Sequence, residues 1–161
     1  MSRTRGILAG AATLVLGMGI GWWTLATPGG ASPAGPKAKS TIHVIEHGAT
    51  DTVVDTDGDR KVSTGDLLTF HNKVFDETDD HRVGRDMGEC VRIDNHRSTW
   101  ECRWTTFLSD GQITVEGPFY DTEPTVLAVT GGTGAYASAQ GSMEIHARGG
   151  EADYDFIFTL T

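Results

Sequence analysis

The sequence is short of the features that several classes of protein need. It has only two cysteines, Cys90 and Cys102. With His96 the one further metal-ligating side chain of the right kind between them, a thiolate metal centre is excluded. Lys and Arg number 13 against 22 Asp and Glu, giving a net charge of −9, and the basic residues form no cluster. That excludes nucleic acid as a partner, since phosphates are held by Lys and Arg; the acidity reads as solubility. No Gly-x-Ser-x-Gly elbow and no Ser/His/Asp set is present, so nothing points to a hydrolase. The glycine run Gly131–Gly134 is followed neither by a lysine nor by a helical period, which excludes a nucleotide cradle. Those glycines are expected in a tight, closely packed turn. After residue 40 no stretch repeats apolar residues at helical spacing for three turns.

The two ends of the chain differ in kind. Arg3 and Arg5 precede an uncharged run from Gly6 to Ala26. Basic and then apolar is the order of a secretory signal. The run also approaches the roughly 20 residues that span a bilayer, and Trp22 and Trp23 stand where interfacial aromatics would sit. Residues 1–26 are therefore expected to be either a cleaved signal peptide or an N-terminal membrane anchor. Both readings place the rest of the chain outside the cytoplasm, secreted or on the outer face of the membrane. Residues 27–40 are rich in Pro, Gly, Ala and Ser and read as a flexible linker. Residues 41–161 are long enough for one domain with its own core.

Within that domain apolar residues alternate with a period of two. Ile42, Val44 and Glu46 share a face, as do Leu68, Phe70, Asn72 and Val74 in a strand expected over 66–76. Trp100, Cys102 and Trp104 share another, and Tyr154, Phe156, Phe158 and Leu160 line the last strand. Further strands are expected over 51–56, 84–94, 112–121, 125–130 and 142–148. Turn residues such as Asp94-Asn95-His96 and Asp110-Gly111 separate the runs. About eight or nine strands with one apolar face each suit a closed up-and-down barrel or a sandwich. In an oxidising compartment the two cysteines are expected to form a disulfide. A hairpin centred on His96 sets Cys90 opposite Cys102 and buries Trp100 and Trp104 beside them.

Two segments look like metal sites at first sight. Asp55 to Asp66 has oxygen ligands at positions one, three, five and twelve, as in a calcium loop. Arg60 takes the place of the glycine at position six, Asp66 is shorter than glutamate, and a strand follows instead of a helix. A solvated turn is the expected reading. His43 and His47 lie four apart on a strand, share a face with Ile45 and should point outward, which leaves two ligands and no site.

Four blocks in order carry a resemblance. They are Gly65-Asp66-Leu67 through Phe70-His71-Asn72-Lys73, Arg82-Val83-Gly84 through Gly88-Glu89-Cys90, Gly111-Gln112-Ile113 through Glu116-Gly117-Pro118-Phe119, and Leu127 through Tyr136 to Ala139-Gln140-Gly141. Together they resemble the allene oxide cyclase barrel family, which is similar in fold to plant dirigent proteins. The resemblance implies an all-β, eight-stranded antiparallel up-and-down barrel, often a homotrimer, with an apolar cavity. It implies an isomerase in which a reactive epoxide folds inside the cavity and cyclises, with no cofactor and no metal. Asn72 matches the family's asparagine, Cys90 a cavity cysteine and Glu46 the glutamate. Phe119 stands where the family has a tyrosine, and no proline occurs between Pro36 and Pro118.

Asn72 and Glu46 are thus the candidate catalytic residues, with Leu68, Phe70, Cys90 and Phe119 lining the pocket. Alternation alone already places both polar groups on apolar faces, where a polar atom must find a partner. A glutamate so placed is expected to have a raised pKa, which suits a proton donor or a stabiliser of developing charge. The other readings open are that the Asn72 amide satisfies a backbone group of the barrel and that Glu46 lies at an open rim. The expected partner is a small lipophilic molecule. A non-catalytic binding protein and a dirigent-like protein that orients another enzyme's radicals are the alternatives to an isomerase.

Overall fold

Alternating side chains commit each run to a strand with one wet and one dry face, and ten such segments form. In the computed structural model, which describes residues 40–149 and 152–161, they are β1 (Ser40–His47), β2 (Thr52–Val54), β3 (Leu67–Phe70), β4 (Lys73–Asp76), β5 (Arg82–Asp94), β6 (Thr99–Leu108), β7 (Gly111–Tyr120), β8 (Thr125–Gly134), β9 (Gly141–Ala147) and β10 (Asp153–Leu160). Residues 1–26, and 27–40 apart from Ser40, lie outside the described residues.

β1 pairs with β4 and β2 with β3, all antiparallel. The ten segments therefore make eight staves, the first from β1 and β2 and the second from β3 and β4. Each stave bonds to the next, and β10 closes on β1 from Ser40↔Leu160 to His47↔Asp153. The result is a closed eight-stranded up-and-down barrel. Closure pairs every segment on both sides except β2, whose ladder runs to β3 alone, and the inward side chains fill the barrel with Val74, Trp100, Trp104, Ile113, Met143 and Phe158.

The strand expected over 66–76 is interrupted at His71 and Asn72. Its partner stave is itself broken between β1 and β2, so the His71 N–H has no ladder acceptor and bonds the Thr50 hydroxyl instead, at 2.8 Å. Alternation survives the break, because the backbones of Asn72 and Asp86 still exchange both hydrogen bonds. β8 runs further than expected, through Gly134, so Gly131–Gly134 end a strand instead of turning. The ladder slips between Thr114 and Val115, which leaves Thr130 as the extra residue. A Cβ on Gly132 would lie 2.5 Å from the Gln112 carbonyl oxygen, so the close packing expected of these glycines is present even though the turn is not.

Cys90 and Cys102 face each other in register and are bonded, with their Cα atoms 4.0 Å apart. Both are 2% exposed, and Trp100 and Trp104 are buried on either side. Reducing this bond is expected to cost about 3 kcal/mol through loop-closure entropy. The check is the thermal midpoint with and without reductant, beside a Cys90→Ala/Cys102→Ala double variant. Equal midpoints would show that the barrel ladder alone fixes this hairpin.

On the outer wall His43 and His47 point outward as expected, but Ile45 between them is fully buried. His47 stacks on Phe75 at 4.3 Å and bonds Asp79, while His43 bonds Asp155. The two imidazoles thus cover an outer apolar residue and are tied to separate carboxylates.

Candidate ligand pocket

The staves carry their inward side chains to a small cavity of about 50 Å³. Leu68, Phe70, the Cys90–Cys102 disulfide, Trp104, Phe119, Ile145, Tyr154 and Phe156 form its apolar wall, and Glu46 and Asp51 its polar side. A cleft of about 250 Å³ at the rim shares Phe119, Ile145 and Tyr154 with it and adds Asp121, Glu123 and His146. Phe119 and Tyr154 meet edge to face with centroids 5.6 Å apart and belong to both spaces.

Of the residues singled out from the sequence, Glu46, Leu68, Phe70, Cys90 and Phe119 line the cavity. Asn72 does not. It is 2% exposed, behind Glu46. Its amide nitrogen donates to Glu46 Oε1 at 2.8 Å and to Asp51 Oδ1 at 2.7 Å. Its amide oxygen accepts the Thr50 N–H and the Thr50 hydroxyl, each at 3.0 Å. All four hydrogen-bonding positions of the side chain are used. Asn72 therefore closes the gap between β1 and β2 and at the same time orients two carboxyls.

Glu46 is inward because it continues the Ile42, Val44 face of β1; its neighbours in register are Tyr154 and Val74. Desolvation holds its carboxyl well above the usual range, the charges of Asp86 and Asp51 push the same way, and the bond from Asn72 opposes them. Asp86 is fully buried. Desolvation pushes its carboxyl up to about 7, against the hydrogen bond from the Asn72 N–H. The Tyr154 phenol is raised by its burial, then by Glu46, Asp51 and Asp121.

Asp86, Asp51 and Tyr154 are not among the candidates from the sequence. Asp86 had a signal: it lies four residues before Cys90 on one strand, hence on the same inward face. Tyr154 was already on the inward face of the last strand, and it brings a phenol to the side of the cavity where Phe119 has none. Asp51 lies in the break between two strands, and no periodicity marks it. Among the described residues four buried polar side-chain atoms find no partner: Asp86 Oδ2, Thr106 Oγ1, directly across the sheet from it, Arg85 Nη1 and Trp104 Nε1.

The acidic loop is held by its own backbone. Carboxylate oxygens of Asp55, Asp57 and Asp59 lie within 4.8 Å of one another. Asp55 accepts the Gly58 and Arg60 N–H groups, Asp57 that of Asp59, and Asp59 that of Lys61. Asp66, the twelfth position, is buried and stands apart from that group. Its oxygens take the Thr56 and Ser63 N–H groups, which hold its carboxyl below the usual range. The bidentate ligand of a calcium loop is thus engaged in closing the turn.

A closed barrel with an apolar interior, one aromatic mouth and a buried acid pair defines a small-molecule-binding barrel. The chain belongs to the allene oxide cyclase family, whose model matches residues 42–148. Solved structures share the fold at low identity. A protein described as pyocyanin demethylase is 24% identical, with a TM-score of 0.67 over 76% of this chain and 100% of that one. A pterocarpan synthase dirigent protein is 18% identical, with a TM-score of 0.66 over 77% of this chain and 95% of the other. A Diels–Alderase from Streptomyces koyangensis is 13% identical, with a TM-score of 0.58 over 79% and 69%.

Proposed function

We propose that the barrel binds a small lipophilic molecule between the cavity and the rim cleft, and isomerises or cyclises it with Glu46 as proton donor. The observation that carries this reading is the placement of Glu46, a carboxyl whose pKa burial raises well above the usual range, on the polar side of an otherwise apolar wall. Asn72 donates to Oε1, which leaves Oε2 to carry the proton. That proton hydrogen-bonds an oxygen of the substrate as negative charge develops on it, and returns as the rearranged bonds form, so no co-reactant is consumed. The aromatic wall excludes water and holds the substrate near its product shape. Asn72 is a positioning residue.

A non-catalytic or dirigent-like role is the second reading, and the small inner volume favours it, because most of a ligand would lie in the rim cleft. The two separate on one experiment. The protein and its Glu46→Gln variant are incubated with a panel of small epoxides and conjugated dienes, and products of unchanged mass are resolved by chromatography. Catalysis predicts an isomer from the parent and a loss of about 10²-fold or more in the variant, with probe binding retained. Binding by both proteins and conversion by neither would leave the carrier reading.

We also propose that the chain is exported. The buried disulfide supports this, because such bonds persist in oxidising compartments. Fractionation of cells that express the full chain, with the mass of the recovered protein, tests export and separates a cleaved signal from an anchor.

A further inference from the structure

The walls of the pocket have a sign. The acidic side chains of the inner cavity are Glu46 and Asp51, and the rim cleft adds Asp121 and Glu123. Among the described residues no lysine or arginine lines either space. Asp121 is spoken for, since Arg92 reaches it at 2.7 Å and the Trp100 indole N–H at 2.8 Å. His146, the rim's one basic side chain, bonds Glu144. Asp51 and Glu123 make no ion pair among the described residues. Nothing here pairs with an incoming carboxylate, and two carboxylates would repel it.

The apolar part of the same wall is aromatic: Phe70, Trp104, Phe119, Tyr154 and Phe156. Phe70 meets Trp104 edge to face, and Phe119 meets Tyr154 in the same way. Rings set at right angles around a pocket, with carboxylates beside them, attract cations through both ring faces and charge. The two spaces, about 50 Å³ and 250 Å³, suit one or two fused rings and do not enclose a long acyl chain.

Resting on the pocket reading above, we infer that this barrel takes a compact aromatic cation, such as a ring carrying a quaternary or protonated nitrogen, in preference to a lipophilic acid. Its charge lies against Asp51, and its rings enter past Phe119 and Tyr154. The inference sets the substrate class for whichever activity the cavity performs.

Three near-isosteric probes test it by equilibrium dialysis against the full chain: N-methylquinolinium, 1-methylnaphthalene and 1-naphthoate. The cation is expected to bind about tenfold or more tighter than the neutral hydrocarbon, and naphthoate the weakest of the three. Asp51→Asn should erase the cation's advantage and leave 1-methylnaphthalene binding unchanged. Glu123→Gln, which touches no internal hydrogen bond, should reduce that advantage in part, and serves if Asp51→Asn alters folding. Naphthoate binding as well as or better than the cation overturns the inference, as does an equal loss for all three probes in the Asp51 variant. If 1-methylnaphthalene binding is absent, or is indifferent to Phe119→Ala, the pocket reading itself fails.

Discussion

Asp86→Asn is expected to stabilise the protein at neutral and alkaline pH. The Asp86 carboxyl titrates near 7 in the folded barrel and near 3.9 when unfolded. Between those values the folded state holds a proton that the unfolded state has released. Stability from this group is complete below about pH 4 and is lost as pH rises through about 7. Glu46, raised for the same reason and coupled to Asp86, contributes with the same sign. An asparagine keeps the oxygen that accepts the Asn72 N–H and has no charge to bury. The gain at pH 8 should reach up to roughly 4 kcal/mol, the equivalent of about three pKa units, and should vanish near pH 4. Urea unfolding at both pH values measures it. Equal slopes of stability against pH in parent and variant would mean that the buried acid is solvated or paired in a way this geometry does not contain.

Asn72→Leu is expected to do the opposite. Judged by an apolar face alone, leucine would be welcome there. In the folded barrel it would strip a partner from Glu46, from Asp51 and from the Thr50 N–H at once. Each buried group left unpaired costs about 1–3 kcal/mol, so the total should rival the 3–5 kcal/mol of a Phe70→Ala cavity. Two readouts separate the variants. Asn72→Leu should also move the pH at which stability declines upward, because the amide's bond is what lowers the Glu46 pKa; Phe70→Ala should leave that pH alone and weaken lipophile uptake. A stable Asn72→Leu protein with an unchanged pH profile would reduce the network to chance proximity.

Much of the site was legible residue by residue. Glu46 follows Ile42 and Val44 at a spacing of two, and a strand allows it no other face. The hairpin register around His96 held because the one irregularity, between Arg92 and Asp94, falls on the turn side of the disulfide and leaves Cys90 opposite Cys102. Asp86 was reachable by the same counting from Cys90. What counting could not supply was the partner of each polar group. Asp51 and Thr50 lie in a gap with no period, and they reach Asn72 only because β1 and β2 bend around it.

The sequence by itself determined most of the strands, their inward faces and the register that sets Cys90 opposite Cys102, because these depend on a period of two, on turn residues and on a local hairpin; alternation left a closed barrel or a sandwich, and the resemblance pointed to the barrel. The tertiary structure alone decided that Asn72 is wholly engaged behind Glu46, and that Glu46 and Asp86 meet as a buried pair. It also set the cavity's small size and the acidic sign of its polar side. Those properties arise between staves that are distant in the chain, where closure and stagger of the barrel choose which side chains meet, and no local pattern encodes that choice.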